Sequence, residues 1–172
     1  MRWLILCLFG LISCKSQHQI NLKLTPEVSI SAPLPTKAIT NAVLIPNVEL
    51  LLKADEFGND YLELVPSDKL VFKLQYLREQ LPNTADSQYE EVVYVELTPP
   101  LTEVHLSGNQ LAQVKMTFGR FCYCKGTSGY FRVSQGNLSV VPQGKTLHIT
   151  AAFQVDGIPQ EMDALKVSFH YN

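Results

Sequence analysis

Residues 69–76 read KLVFKLQY, and the spacing of their apolar side chains decides the fold. Leu70, Phe72, Leu74 and Tyr76 alternate with Lys69, Val71, Lys73 and Gln75. A period of two places the first set on one face of an extended strand, whereas a helix needs apolar residues three and four apart. Ser67 stands where it could cap a helix over 67–78, but the alternation predicts a strand. The same period recurs downstream. Val93, Val95 and Leu97 alternate with Tyr94 and Glu96, and Val114, Met116 and Phe118 alternate with Gln113, Lys115 and Thr117.

Turn-forming residues separate these runs at short intervals. They are Phe57-Gly58-Asn59-Asp60, Pro66-Ser67-Asp68, Pro82-Asn83, Pro99-Pro100, Ser107-Gly108-Asn109, residues 126–129, Gln135-Gly136-Asn137 and residues 142–144. Many short strands punctuated in this way predict an all-β antiparallel sandwich, immunoglobulin- or transthyretin-like, of about eight to ten strands. Near the C-terminus, setting Leu138 opposite Ile149 and Val140 opposite Leu147 closes a hairpin over 142–145. A strand carrying Leu165, Val167, Phe169 and Tyr171 then lies beside Ile149, Ala151 and Phe153. His148 and His170 must share the opposite face of that sheet. Residues 19–172 read as one domain, with 19–40, interrupted by Pro26, Pro33 and Pro35, as a partly ordered lead-in.

The chain has 172 residues, 46% hydrophobic and 17% charged. A charged fraction below the usual value of about 25% excludes a disordered chain or a coiled coil. A net charge of −2 gives no reason to expect nucleic-acid binding. The distribution is less even than the total. Residues 104–155 hold five basic residues and no acid, whereas residues 14–103 hold seven basic against thirteen acidic. Two readings follow: acidic strands pair with basic ones in space, or the cations belong to a binding face. The candidate face is Arg120, Tyr123, Lys125, Tyr130 and Arg132, in a Gly-flanked hairpin where Gly119 marks a potential bulge.

Catalytic signatures fail one by one. Gly144-Lys145-Thr146 resembles the end of a phosphate-binding loop but lacks the earlier glycine, which is Ser139, and the following helix. Gly126-Thr127-Ser128-Gly129-Tyr130 has Tyr where a nucleophile elbow needs its last Gly. Neither HExxH nor CxxC occurs. Glu90 and Glu91 are neighbours on opposite strand faces and cannot act on one atom. Asp55-Glu56-Phe57-Gly58-Asn59-Asp60 clusters oxygen groups that suit Ca²⁺, without EF-hand spacing, and reads as a solvated hairpin turn. The chain is therefore expected to be no enzyme and to hold no cofactor or metal.

Residues 1–14, MRWLILCLFGLISC, place Arg2 before an apolar run over 3–12. That run is shorter than the roughly twenty residues a membrane span needs, and reads as a signal peptide. Leu11-Ile12-Ser13-Cys14 resembles the lipobox of bacterial lipoproteins, with Ile12 where a smaller residue is more usual. The resemblance implies cleavage before Cys14, acylation of its thiol and new amino group, and a lipidated tether over 14–18. Lys15 after the cysteine implies sorting to the outer membrane, facing the periplasm or the cell surface. The function expected is a non-enzymatic envelope lipoprotein that binds a protein partner or joins an assembly; small sandwich lipoproteins of secretion systems are one family it resembles. The alternative is a module for an anionic envelope ligand, lipopolysaccharide or peptidoglycan.

In that compartment Cys122 and Cys124 can oxidise. On an extended strand their Cα atoms sit roughly 6.6 Å apart, at the upper edge of disulfide geometry. A disulfide, local or between strands, is the first expectation. Buried free thiols, soft metal ligands joined by His148 and His170, and a redox pair are the others.

Overall fold

In the computed structural model, which describes residues 27–31, 38–80, 82–84 and 86–171, the stretch KLVFKLQY lies in the middle of a long strand. The expected lipobox Leu11-Ile12-Ser13-Cys14 and the expected tether over 14–18 lie outside the described residues. Among the described residues ten strands occur in order: β1 (Glu27–Ile30), β2 (Ala38–Ala54), β3 (Asp60–Arg78), β4 (Tyr89–Leu97), β5 (Val104–Ser107), β6 (Thr117–Cys122), β7 (Gly129–Arg132), β8 (Gln135–Gln143), β9 (Thr146–Gln154) and β10 (Ala164–His170). They form an all-β sandwich of two five-stranded antiparallel sheets, ordered β1-β10-β9-β8-β5 and β2-β3-β4-β6-β7.

Alternation builds the core between the sheets. Leu70, Phe72, Leu74 and Tyr76 of β3 are buried, as are Val93, Val95 and Leu97 of β4. They meet Leu147, Ile149, Val167 and Phe169 from the other sheet. Phe72 and Phe169 touch edge to face with ring centres 6.0 Å apart. Each such side chain contributes on the order of 1.5–3 kcal/mol by leaving water.

The β2–β3 hairpin is longer than the sheet it belongs to. Its register shifts between Pro46 and Val48, with Asn47 at φ +61°, and β3 pairs with β4 only from Leu70 onward. The distal half, residues 48–66, folds back across the outer face of its own sheet. Leu50 is buried there in a second apolar cluster with Val71, Val92 and Tyr94. This accounts for Val71, which the period assigns to the solvent face and the structure buries.

Four local expectations are corrected. Pro66-Ser67-Asp68 lies within β3 and does not reverse the chain. Gln135-Gly136-Asn137 begins a strand and is not a turn. The predicted strand over 113–118 starts only at Thr117, because a 3₁₀ helix occupies Gly108–Val114. Its start is fixed by Gln110, whose side-chain oxygen accepts the Ser107 N–H at 3.1 Å, the S-x-x-Q pattern of a capping box. The β8–β9 hairpin slips by two positions, so that Leu138 faces Ala151 and Val140 faces Ile149 around a two-residue turn at 144–145. A slip of two keeps every side chain on its expected face. Val28 and Ser29, within the lead-in, belong to β1 at the edge of the first sheet.

The two ends of the sandwich differ. One carries the β8–β9 turn and the start of β1, since Glu27 pairs with His170, His170 with Thr146, and the Tyr171 N–H reaches the Lys145 carbonyl. The other carries the β9–β10 loop, the end of β3 and the Cys122–Cys124 turn, which together shape the site described next.

Candidate functional site

At this second end Glu91 shares the inner face of β4 with Val93 and Val95 and is completely buried. Its carboxylate accepts the N–H groups of Glu161 and Met162, both at 2.7 Å, and the Tyr89 hydroxyl. The β9–β10 loop is thereby fastened to β4. Burial, the largest cause, holds the Glu91 carboxyl above its ordinary range despite these three donors. The Tyr89 hydroxyl accepts from Arg120 Nε at 3.1 Å, and Arg120 Nη1 donates to the Thr127 carbonyl and hydroxyl at 3.0 and 2.6 Å. Arg78 lies 4.1 Å from the centre of the Tyr89 ring and Arg120 lies 5.2 Å away, and Arg78 pairs with Glu161. Desolvation pushes the Tyr89 hydroxyl up to about 12.

Cys122 and Cys124 are disulfide-bonded. The chain does not stay extended between them. The Cys124 N–H donates to the Cys122 carbonyl at 2.8 Å, and this tight turn draws the Cα atoms to 5.2 Å, well inside the range for disulfides. Tyr123 is thrown outward and is 86% exposed. Beside it opens a groove of about 860 Å³, bounded by the disulfide, Arg78, Tyr89, Glu161 and the loop carrying Thr84 and Asp86.

The five residues expected to form one binding face are divided by strand alternation. Arg120 pairs with Gly129 and points inward, only 7% exposed. Tyr130 pairs with Gly119 and packs on the outer face against Phe121 and Tyr94. Arg132 is exposed on that same outer side, and Tyr123 and Lys125 are exposed in the β6–β7 connection. The anticipated bulge at Gly119 does not occur. A Cβ there would come within 2.7 Å of Val92 and 3.0 Å of the Tyr130 ring, so the glycine leaves room for that ring.

Other expectations resolve by position. His148 and His170 do share a face, bonded to Ser168 and Thr146, but on the sheet that does not carry the cysteines. A thiol–imidazole metal site is therefore not assembled, and no cluster of three metal-ligating side chains occurs among the described residues. The Asp55 carboxylate accepts the N–H groups of Phe57 and Asn59 and the Asn59 amide, as a hairpin turn would have it. Glu90 lies opposite to Glu91 and bonds Gln75. The uneven charge partly cancels in space, because Lys115 reaches Glu49 and Glu96 at 3.2 and 2.8 Å. Lys125 and Arg132 make no ion pair among the described residues.

Tyr89, Arg78 and Glu161 were not singled out by the sequence. One signal was present: an acid, Glu91, at the parity of Val93 and Val95, which demands a buried partner set. No family model, curated protein or solved structure matches the chain.

Proposed function

We propose that the chain is a non-enzymatic, lipid-anchored protein of the cell envelope that binds a protein partner through the groove beside Tyr123. Tyr123 carries this reading: its ring is exposed on the lip of a concave surface and pinned by a disulfide that encloses one residue. Aromatic anchors held with little conformational freedom supply much of the energy of interfaces. So short a disulfide loop removes little entropy from the unfolded chain, and shaping the turn is its larger effect. Glu91, saturated by three donors, positions a loop. Glu79, Asp86 and Glu161 border the groove, and Arg78 is already paired with Glu161. That balance favours a polar or basic protein surface over lipopolysaccharide or peptidoglycan. The anchor rests on the resemblance of Leu11-Ile12-Ser13-Cys14 to a lipobox.

Envelope extracts passed over the full-length chain and its Tyr123→Ala variant test the groove. Capture of the partner should fall about tenfold or more, equivalent to about 1.4 kcal/mol, with thermal unfolding unchanged. A partner retained equally by both chains would remove the groove from the proposal. Intact-mass analysis should show acyl chains on a mature protein beginning at Cys14, and an unmodified Cys14 would remove the anchor.

A further inference from the structure

The sheet edges are guarded unequally. β1, β5 and β7 are four residues each, and charge sits on or beside them: Glu27 on β1, the Glu103–His105 pair at β5, and Arg132 on β7. β2 is seventeen residues long and pairs only with β3 among the described strands. Its residues 38–48, AITNAVLIPNV, contain no charged residue and no histidine. An edge strand presents a row of unpaired N–H and C=O groups, which proteins usually protect by shortness, charge or proline. On β2 that protection begins only at Pro46 and the register shift beyond it. Ala38, Ala42 and Leu44 turn inward to the core, leaving Ile39, Asn41, Val43 and Ile45 on the other face. Ile39 is 64% exposed.

We infer that residues 39–45 of β2 pair antiparallel with the same residues of a second copy of this chain, about a two-fold axis at Ala42. In this register Ile39 faces Ile45 of the second copy, Thr40 faces Leu44, Asn41 faces Val43 and Ala42 faces itself. Inward side chains stay inward and outward ones outward, so both cores continue across the junction. The exposed Ile39 gains a β-branched cross-strand neighbour. A two-fold pairing sets each strand against its own image, where any charge near the axis would meet its like; this stretch has none. The uncharged, self-complementary sequence selects a second copy over an unrelated strand.

Sedimentation equilibrium of the full-length chain, in a density-matched nonionic detergent at high micelle excess, provides the test. A dimer is expected at about 10 µM, and Ile39→Lys should raise its dissociation constant at least tenfold while leaving circular dichroism unchanged. Oxidising a mixture of Asn41→Cys and Val43→Cys chains should cross-link several-fold more dimer than either alone, because 41 faces 43 and not itself. A wild-type chain that stays monomeric to about 100 µM overturns the inference. So does a dimer indifferent to Ile39→Lys, or a mixture that cross-links no better than its components.

Discussion

Gly136 combines a φ of +123° with backbone so close that an added Cβ would lie 2.1 Å from the Ala152 carbonyl oxygen. Neither atom can yield, because both belong to paired strands. Gly136→Ala is therefore expected to cost roughly 3 kcal/mol or more. Urea unfolding should show this as a midpoint lowered by about 1–2 M. Gly126→Ala is the matched control: its φ is +75° with nothing within 4 Å, so only the left-handed strain of about 1 kcal/mol applies. At Glu91 the question is protonation. Its carboxyl is raised in the folded protein, so its contribution is fully present below its ordinary range and is lost as pH climbs through the folded value. Glu91→Gln turns an amide NH₂ toward a backbone N–H and should cost about 2 kcal/mol. The wild-type advantage in urea midpoint should be larger near about pH 4 than near about pH 7.5. An advantage that grows toward neutral pH would refute this account of the carboxyl.

The folded-back half of the β2–β3 hairpin is held by few groups, and Lys115 is the central one. It follows the 3₁₀ helix at φ +45° and reaches Glu49, Glu96 and the Leu50 carbonyl, while the Leu50 N–H donates to Glu96 at 2.9 Å. Lys115→Met leaves Glu96, which is nearly buried, without its cation. Because Lys115 is itself more than a third exposed, the expected loss is only about 1–2 kcal/mol. Hydrogen exchange should locate it: amides in 48–66 exchange about tenfold faster, and those of β8, β9 and β10 do not change. The sequence made the strands of this region legible and concealed their path. Alternation at Leu70–Tyr76 reports which side chains share a face, but not that Val71 and Tyr94 on the other face will be covered by the same hairpin. Period also mistook the 3₁₀ helix for a strand, because Val114, Met116 and Phe118 alternate by coincidence across its end; the capping pattern of Ser107 and Gln110 was the readable warning. In the candidate site the cysteines and Tyr123 were visible as unusual residue types. The separation of Arg120 from Tyr130 and Arg132 required the pairing of β6 with β7, which spacing alone does not give.

Across the molecule, β1 starts at the end bearing the β8–β9 turn, and Tyr123 with its groove lies at the other. Twelve residues, 15–26, separate the proposed anchor Cys14 from β1. Fully extended they reach at most about 40 Å. A bilayer-anchored chain therefore keeps, on average, the β8–β9 turn nearer the lipid and turns the groove toward the surrounding compartment. An orientation of this kind suits capture of a partner that does not lie on the same leaflet. Dyes placed singly at Lys145→Cys, in the turn, and at Thr84→Cys, on the groove, report it directly, since both residues are exposed. On vesicles carrying the acylated protein, a headgroup-borne quencher should reduce emission at 145 several-fold more than at 84. Raising the salt concentration should leave this ratio unchanged, because the linker geometry and not surface charge sets it; charged attraction would be screened within about 10 Å at 0.1 M. Equal quenching at the two positions, or stronger quenching at 84, would overturn this orientation, because the linker would then not hold the β8–β9 turn nearer the lipid than the groove.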